Sequence, residues 1–313
     1  MYRDQITNHI LMIRPLNFRM NEETAVNNFY QKSLSDLSEN EIQAKALKEF
    51  DSLVDKLKSK GVNVIVVNDK SFLDTPDSIF PNNWISFHQN GDVGLYPMFA
   101  PNRRLERRED ILDILEEKGF IIENVIDYSS GEIDEIFLEG TGSIVLDREN
   151  QNAYCAISPR SEEELFIEFC EDFDYNPIVF KAYQTVDDKR ALIYHTNVMM
   201  SIGSSFAIVC LDAIDDSKER KNVIQHLKES GKEIISITEK QLNLFAGNML
   251  QIKGKDNKTF VVMSQNAYNS LSNHQLSEIE KHSEIIYSDV NTIETCGGGS
   301  VRCMMAEIFL PRV

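Results

Sequence analysis

The sequence lacks the features that mark membrane and secreted proteins. Its 313 residues contain no run of roughly 18 apolar residues, the length that a helix needs to cross a bilayer. Residues 1–5 do not follow the basic-then-apolar plan of a secretory signal. We therefore expect a cytoplasmic protein without a membrane partner.

Cysteine is scarce, and the few cysteines are scattered. Their number is odd, and no two are spaced as Cys-x-x-Cys. The six histidines show no ligand spacing either. These patterns argue against a disulfide framework and a zinc site, so neither a metal nor another cofactor is expected. The cysteines are Cys155, Cys170, Cys210, Cys296 and Cys303.

Positive charge is also in short supply. The chain has 32 Lys and Arg residues against 50 Asp and Glu residues, which gives a formal net charge of −18. A surface of this sign repels phosphate backbones, which argues against nucleic acid as a partner. Solubility alone is enough to explain the charge.

The sequence contains no linker-like stretch, but it does contain a weak internal repeat. No stretch rich in proline, glycine or serine divides the chain, so we expect one domain over residues 1–313. In each repeat copy a small polar residue or glycine leads into a short apolar run, which is typical of a buried strand after a turn. The aligned positions are Asn83, Gly142, Asn197, Asn248 and Ser300.

Amphipathic segments separate the repeat copies. Residues 41–60 and 216–230 have apolar side chains at helical spacing, and a short apolar strand follows each of them. Residues 90–92 and 203–205 are typical hairpin turns. A unit of hairpin, helix and strand that recurs about five times predicts an α/β fold, a pseudo-fivefold propeller of ββαβ-type repeats around a central channel. The alternative is an ordinary α/β sheet protein with accidental similarity.

Three polar residues at the repeat turns are candidates for chemistry. Cys303 follows the triple glycine of residues 297–299, whose backbone can approach a ligand closely. His195 occupies an equivalent turn, and imidazole exchanges protons with a thiol near neutral pH. Glu139 opens another copy, where a carboxylate could bind a planar N–H donor group or orient the histidine. Singly, each is also explained as a structural residue, and only their equivalent positions indicate a site.

Further charged residues follow the predicted hairpins. Arginine binds carboxylates bidentately, so Arg103, Arg104 or Arg160 could anchor the carboxylate of an amino acid. Asp77, like Glu139, could be a functional carboxylate or simply an acidic residue in a solvated turn.

These residues, in this order, resemble the guanidino-group-modifying superfamily, which includes arginine deiminase, dimethylarginine dimethylaminohydrolase and the amidinotransferases. The resemblance covers nearly the whole chain and is most specific at residues 137–142, 194–195 and 297–303. Residues 8–15, 21–28 and 80–88 are similar to the citrulline-utilisation hydrolases. The resemblance implies a pseudo-fivefold α/β propeller. It also implies that Cys303 is the nucleophile, His195 the general acid/base, Glu139 the carboxylate that holds the planar group, and Asp77, Arg103 and Arg160 substrate-binding residues.

Two asparagines depart from the pattern of the guanidino-hydrolysing relatives. Asn83 and Asn197 stand where those enzymes commonly carry carboxylates. A buried guanidinium without a carboxylate costs on the order of several kcal/mol, whereas a neutral ureido group needs the donors and acceptors that amides supply. The sequence therefore favours hydrolysis of citrulline to ornithine, ammonia and carbon dioxide through a covalent Cys303 intermediate.

Three other interpretations stay open. The chain could be an arginine deiminase or a dimethylarginine dimethylaminohydrolase. From another class, it could be a non-catalytic propeller that binds a macromolecule. The expected partner is a small amino-acid substrate, and a homo-oligomer is compatible with the sequence.

Overall fold

The computed structural model describes residues 3–70 and 72–313, which form an α/β protein. The strands are β1 His9–Arg14, β2 Asn63–Asn68, β3 Ile85–Phe87, β4 Asp92–Leu95, β5 Asn124–Asp127, β6 Ile144–Asp147, β7 Asn152–Ala156, β8 Asn176–Phe180, β9 Tyr183–Val186, β10 Lys189–Leu192, β11 Met200–Ile202, β12 Phe206–Val209, β13 Glu233–Ser236, β14 Leu250–Lys253, β15 Thr259–Ser264, β16 Glu284–Ser288 and β17 Ala306–Glu307. The α-helices are α1 Glu22–Ala25, α2 Glu39–Ser59, α3 Asp110–Glu117, α4 Gly140–Ser143, α5 Glu163–Asp172, α6 Thr196–Met199, α7 Ser217–Glu229, α8 Glu239–Leu242, α9 Gln265–Ser270, α10 Asn273–Glu280 and α11 Asn291–Gly297.

Five three-stranded sheets of the described residues share one plan. In each, a central strand is antiparallel to one neighbour and parallel to the other. A helix connects the parallel pair, as a crossover between parallel strands requires. Four sheets follow one another along the chain: β3-β4-β5, β6-β7-β8, β11-β12-β13 and β14-β15-β16.

The fifth sheet is built from both ends of the chain. Its order is β17-β1-β2, so the C-terminal strand pairs with the N-terminal one. The repeat found in the sequence had no second strand in its last copy, because that strand lies at the beginning of the chain. The closure of five units around a channel stays a prediction.

The longest helix follows directly from its sequence. In α2 the Ser38 side chain accepts a hydrogen bond from the Glu41 N–H, and the Glu41 side chain returns to the Ser38 N–H. Its apolar residues recur at helical spacing and are buried, including Ile42, Phe50 and Leu57. Among residues 3–70 and 72–313, every helix is too short or too polar to span a bilayer.

The predicted turns lead into the repeat copies, but in two copies the helical or turn conformation extends into the apolar run that was predicted as a strand, at residues 198–199 and 301–304. Residues 81–83 form a 3₁₀ turn, α4 and α6 are single helical turns, and residues 301–304 form turns without a strand. In α6 the Thr196 carbonyl accepts a hydrogen bond from the Met200 N–H of the same turn. The backbone is therefore paired within the turn, and the strand begins only after it. The polar residues of these copies therefore lie on turns and not on strands.

A fully buried ion pair joins two sheets. Lys232 Nζ lies 3.1 Å from Asp147 Oδ1, and both side chains have zero exposure. Lys232 also donates to the Ser204 carbonyl at 2.9 Å. We expect Lys232→Ala to lower the free energy of unfolding by about 3–5 kcal/mol, because it leaves the Asp147 carboxylate buried without a cation.

Urea denaturation of this variant, with Lys228→Ala as control, measures the effect. Lys228 is exposed on α7, so its removal should change stability by less than about 0.5 kcal/mol. Equal stabilities of the two variants would contradict the importance of the buried pair.

Candidate active site

A glycine-rich loop positions Cys303. Helix α11 ends at Gly297, and Gly298 has a left-handed backbone with φ +63°. A Cβ atom on Gly298 would lie 2.5 Å from Asn28 Nδ2, so a larger residue would push the two segments apart. In the following turn the Cys303 N–H donates to the Ser300 carbonyl at 3.0 Å. The loop thus holds the thiol inside the protein, with Cys303 only 3% exposed.

Two asparagine side chains lie against Cys303 Sγ. Asn248 Nδ2 is 3.2 Å and Asn197 Nδ2 is 3.6 Å from the sulfur. The Asn248 amide is fixed, since its oxygen accepts from the Arg302 N–H and its nitrogen donates to the Asn197 carbonyl. Sequence reasoning selected Asn197 and missed Asn248, although position 248 was one of the five aligned repeat positions.

The thiol of Cys303 is held in its neutral form. Burial raises the pKa of the thiol above its ordinary value, and the bonds to the Ser300 backbone and the Asn248 amide offset this only in part. Within the described residues, Sγ makes no hydrogen bond to His195. A thiolate therefore forms only when a base removes the proton.

This protonation state determines how Cys303 reacts with alkylating reagents. We expect the rate of inactivation by iodoacetamide to keep rising through about pH 8.5, the ordinary pKa of a thiol, because the folded pKa lies higher. Mass spectrometry of the Cys303 peptide against pH measures it. Asn248→Ala should move the inflection to still higher pH, since the thiolate loses a donor. A rate that is constant above about pH 7 would contradict the neutral thiol.

His195 and Glu139 form a buried pair. His195 Nε2 lies 2.7 Å from Glu139 Oε2. Burial opposes ionisation of Glu139, but the positive charge of Arg160 and the His195 hydrogen bond outweigh it and hold the carboxyl pKa well below its usual range. Burial lowers the pKa of His195 to about 4. A carboxylate can only accept, so the neutral imidazole carries its proton on Nε2 and has its lone pair on Nδ1.

Both oxygens of Glu139 are engaged by the protein. Oε1 accepts from the Phe99 N–H at 3.0 Å. Oε2 accepts from His195 and lies 3.5 Å from Arg160 Nη1 and 3.7 Å from Arg103 Nη1. Of the two functions considered for Glu139, orienting the histidine is the one that this geometry favours.

Arg103 is held by a second carboxylate that sequence reasoning missed. Its Nε and Nη2 donate to Glu106 at 3.0 and 2.9 Å, and its Nη1 donates to Asn83 Oδ1 at 2.9 Å. Burial raises the pKa of Glu106 to about 8 despite the arginine. The separation of three residues between Arg103 and Glu106 was the available signal. Asp77 Oδ2 lies farther away, 3.9 Å from Arg103 Nε.

Arg160 and Asp77 fasten the segment of residues 21–28 over the site. Arg160 donates to the Thr24 carbonyl at 2.9 Å and to Asn27 Oδ1. Asp77 Oδ2 accepts from Asn21 Nδ2 at 2.8 Å and from Thr24 Oγ1 at 3.1 Å. Residues 21–28 contributed to the family resemblance, but no side chain of the segment had been expected at the site.

Several buried polar atoms of this region make no hydrogen bond within the described part of the chain. They are Asp77 Oδ1, Asn83 Nδ2 and both side-chain atoms of Asn82. Because such atoms are costly to bury unpaired, they indicate where a polar ligand can be received. Arg104 lies apart and donates to the Met98 carbonyl. The remaining candidates are all buried, and their contacts form two groups: Asp77, Asn83, Arg103, Glu139, Arg160 and His195 in one, and Asn197 and Cys303 in the other.

No grouping of three His, Cys, Asp or Glu side chains suited to a metal ion occurs in residues 3–70 and 72–313. The chemistry that the site offers is that of a thiol, a neutral imidazole hydrogen-bonded to a carboxylate, and side-chain amides.

Solved structures share this fold. ArgZ, an arginine dihydrolase from the ornithine–ammonia cycle in cyanobacteria, is 17% identical with a TM-score of 0.72, and the match covers 97% of this chain but 41% of that one. The N-terminal domain of ArgZ bound to product matches over 98% of this chain and 100% of its own length, at 18% identity and a TM-score of 0.69. A dimethylarginine dimethylaminohydrolase as an adduct with S-methyl-L-thiocitrulline is 15% identical with a TM-score of 0.61, over 97% of this chain and 100% of that one.

At these identities the similarity shows the α/β fold alone. The chain spans about two fifths of full-length ArgZ. A comparison with curated proteins finds no match. The family model described as "N,N dimethylarginine dimethylhydrolase, eukaryotic" matches residues 14–310, nearly the whole chain, and confirms the resemblance to guanidino-modifying enzymes. The chain belongs to this family of hydrolases, which act on carbon–nitrogen bonds other than peptide bonds.

Proposed function

We propose that this protein hydrolyses the guanidino group of arginine or a methylated arginine, with Cys303 as the nucleophile. The observation that carries the proposal is a buried thiol between the Asn197 and Asn248 amides, together with a buried His195–Glu139 pair whose histidine lies two residues before Asn197 on the chain. The family description and the descriptions of the structural neighbours name arginine or dimethylarginine. They support the guanidino alternative better than the citrulline interpretation favoured by the sequence.

In the proposed reaction His195 Nδ1 takes the proton of the Cys303 thiol. The thiolate attacks the planar carbon, and the bond from this carbon to a terminal nitrogen breaks as His195 returns the proton to the departing amine. Water, deprotonated by His195, then attacks the carbon, and the carbon–sulfur bond breaks. The products are a ureido amino acid and ammonia or a methylamine. Glu139 stabilises the imidazolium that forms in each half of the cycle.

The two arginines of the site have different tasks in this proposal. Arg160 bonds mainly to neutral acceptors, Asn27 and the Thr24 carbonyl, which a substrate carboxylate can displace because a charge-assisted pair is roughly twice as strong. Arg103 is paired bidentately with Glu106, so it acts as a counter-ion that positions Asn83 and Glu139. Arg160 is therefore the main anchor of the substrate carboxylate, and Asp77 Oδ1 is available to its amino group.

A specific observation keeps citrulline as a second candidate. Of the carboxylates in the network, Glu139 and Glu106 are engaged by the protein, and only Asp77 has an oxygen without a partner among the described residues. The side-chain amide of Asn82 and the Nδ2 group of Asn83 are unpartnered among these residues instead. Such groups suit a neutral ureido group, whose oxygen needs a donor.

We also propose that the five sheets close into a pseudo-fivefold propeller and that residues 1–313 form one domain. The common strand plan supports this, and so does the sheet that unites the chain ends. In such a ring, corresponding turns would meet at one mouth of the channel.

Product analysis tests the function. Arginine, monomethylarginine, dimethylarginine and citrulline are offered separately to the wild-type protein, and amino-acid products and ammonia or methylamines are quantified. Citrulline from one of the three guanidino compounds is the expected result. Ornithine from citrulline, with the guanidino compounds untouched, would favour the second candidate. No turnover of the four compounds would contradict both.

A further inference from the structure

A second polar cavity lies at the opposite end of strand β6 from the active-site turn. Glu139 and α4 precede β6, and Arg148 follows it. With about 3.3 Å per strand residue, Arg148 is roughly 15 Å from Ser143. The cavity has a volume of about 210 Å³, and its wall includes Arg148, Arg3 and Phe309. The exposed side chains of Asn90 and Asp174 line it as well, so it reaches the protein surface.

Arg148 is a largely buried cation without an anionic partner in the part of the chain that the structure describes. The residue is only 5% exposed. Among the described residues, its guanidinium makes no side-chain hydrogen bond and no ion pair within 4.0 Å; it packs over the Phe309 ring at 4.0 Å from the centroid. An anion that enters the cavity can pair with the guanidinium.

The acidic residues around the cavity are already used by other cations. Asp174 pairs with Arg3 at 3.4 Å and Asp4 pairs with Lys253 at 3.2 Å. Asp147, the residue before Arg148, belongs to the buried pair with Lys232. Among the described residues, Arg148 therefore has no carboxylate within 4.0 Å, in a chain whose net charge is −18.

The rest of the wall is neutral and largely aromatic. His88 Nε2 lies 2.8 Å from Ser86 Oγ, and burial together with the charges of Arg148 and Arg3 keeps the His88 pKa well below its ordinary value. Phe173 stacks on the His88 ring at 3.9 Å between centroids. A ligand of this cavity meets the Arg148 guanidinium, the Arg3–Asp174 pair and several aromatic rings.

We propose that this cavity binds a small monocarboxylate with an aromatic or apolar body. The carboxylate pairs bidentately with the Arg148 guanidinium, whose planar fork matches it. The body of the ligand rests on the rings of Phe309, Phe173 and Tyr175. A single positive charge favours a monoanion over phosphate, which carries between one and two negative charges near neutral pH. The site is separate from the active site and does not depend on the proposed function.

Calorimetric titration with benzoate tests the proposal. Wild type, Arg148→Met and Arg148→Lys are compared, with Arg160→Met to remove carboxylate binding at the active site and Arg220→Met as a control for loss of an arginine elsewhere. We expect saturable binding that weakens at least about tenfold in Arg148→Met, less in Arg148→Lys, and stays unchanged in Arg160→Met and Arg220→Met. Circular dichroism checks the fold, and Arg148→Lys decides the test if the methionine variant does not fold.

Three results would overturn the proposal. The first is equal affinity for benzoate in wild type and the Arg148 variants. The second is the absence of saturable binding to wild type in the millimolar range. The third is tighter Arg148-dependent binding of inorganic phosphate than of benzoate, which would contradict the carboxylate assignment.

Discussion

The Cys303→Ser variant should lose at least about 10⁴-fold in kcat while it keeps the fold. A hydroxyl is the nearest replacement in shape, but its oxygen is a far poorer nucleophile in a site that has to deprotonate it. Since Cys303 is buried in a turn, the serine fits the same space. Steady-state kinetics on the active substrate measures the loss.

Cys296→Ser is the matched control for this variant. Cys296 is a buried cysteine on α11 of the same glycine-rich segment and packs in the same hydrophobic cluster as Cys303, but among the described residues its sulfur makes no hydrogen bond to a side-chain amide. It should keep kcat within a fewfold of the wild type. Equal losses in the two variants would show that thiol burial, and not catalysis, explains the effect.

The Glu139→Gln variant should lower kcat by about 10³–10⁴-fold. Oε1 accepts from the Phe99 N–H, so the amide oxygen is held on that side and the NH₂ group points at His195. A donor there forces the proton of the imidazole onto Nδ1, which removes the lone pair that the proposed mechanism uses. In serine proteases, an aspartate-to-asparagine change at the carboxylate that orients the catalytic histidine lowers kcat by about 10⁴ for the same reason.

The pH profile separates this effect from simple misfolding. The Glu139→Asp variant, which keeps the charge, should retain more activity than Glu139→Gln at every pH. Loss of the carboxylate also removes what stabilises the imidazolium, so the pKa of His195 should fall further. Equal activity of the two variants would contradict a role for the charge of Glu139.

Much of the fold could be predicted from periodicity. Segments such as α2 and α7 bury apolar faces at helical spacing, and a short strand follows each of them, as the sequence predicted. The extension of a helical turn into the apolar run, as at α6, could not be predicted, because a short apolar run is compatible with a strand or a buried helical turn. The pairing of β17 with β1 could not be predicted either, since it joins residues about 300 positions apart.

The candidate site was predictable as a set of residues but not as a set of contacts. Motif and repeat position select Cys303, His195 and Glu139, whereas the engagement of both Glu139 oxygens depends on the Phe99 backbone. Contacts from residues 21–28 also arise only in the folded chain. The unpaired charge of Arg148 is likewise invisible in the sequence, because it depends on which carboxylates are already occupied.

The measurement that tests the central claim most directly is mass spectrometry of the protein quenched with acid during turnover. The account predicts a covalent adduct that maps by peptide analysis to Cys303 and is absent from Cys303→Ser. For a guanidino substrate, the adduct retains the amino-acid portion, since the terminal nitrogen leaves first. Turnover that persists in Cys303→Ser, or an adduct on any other residue, would contradict the account.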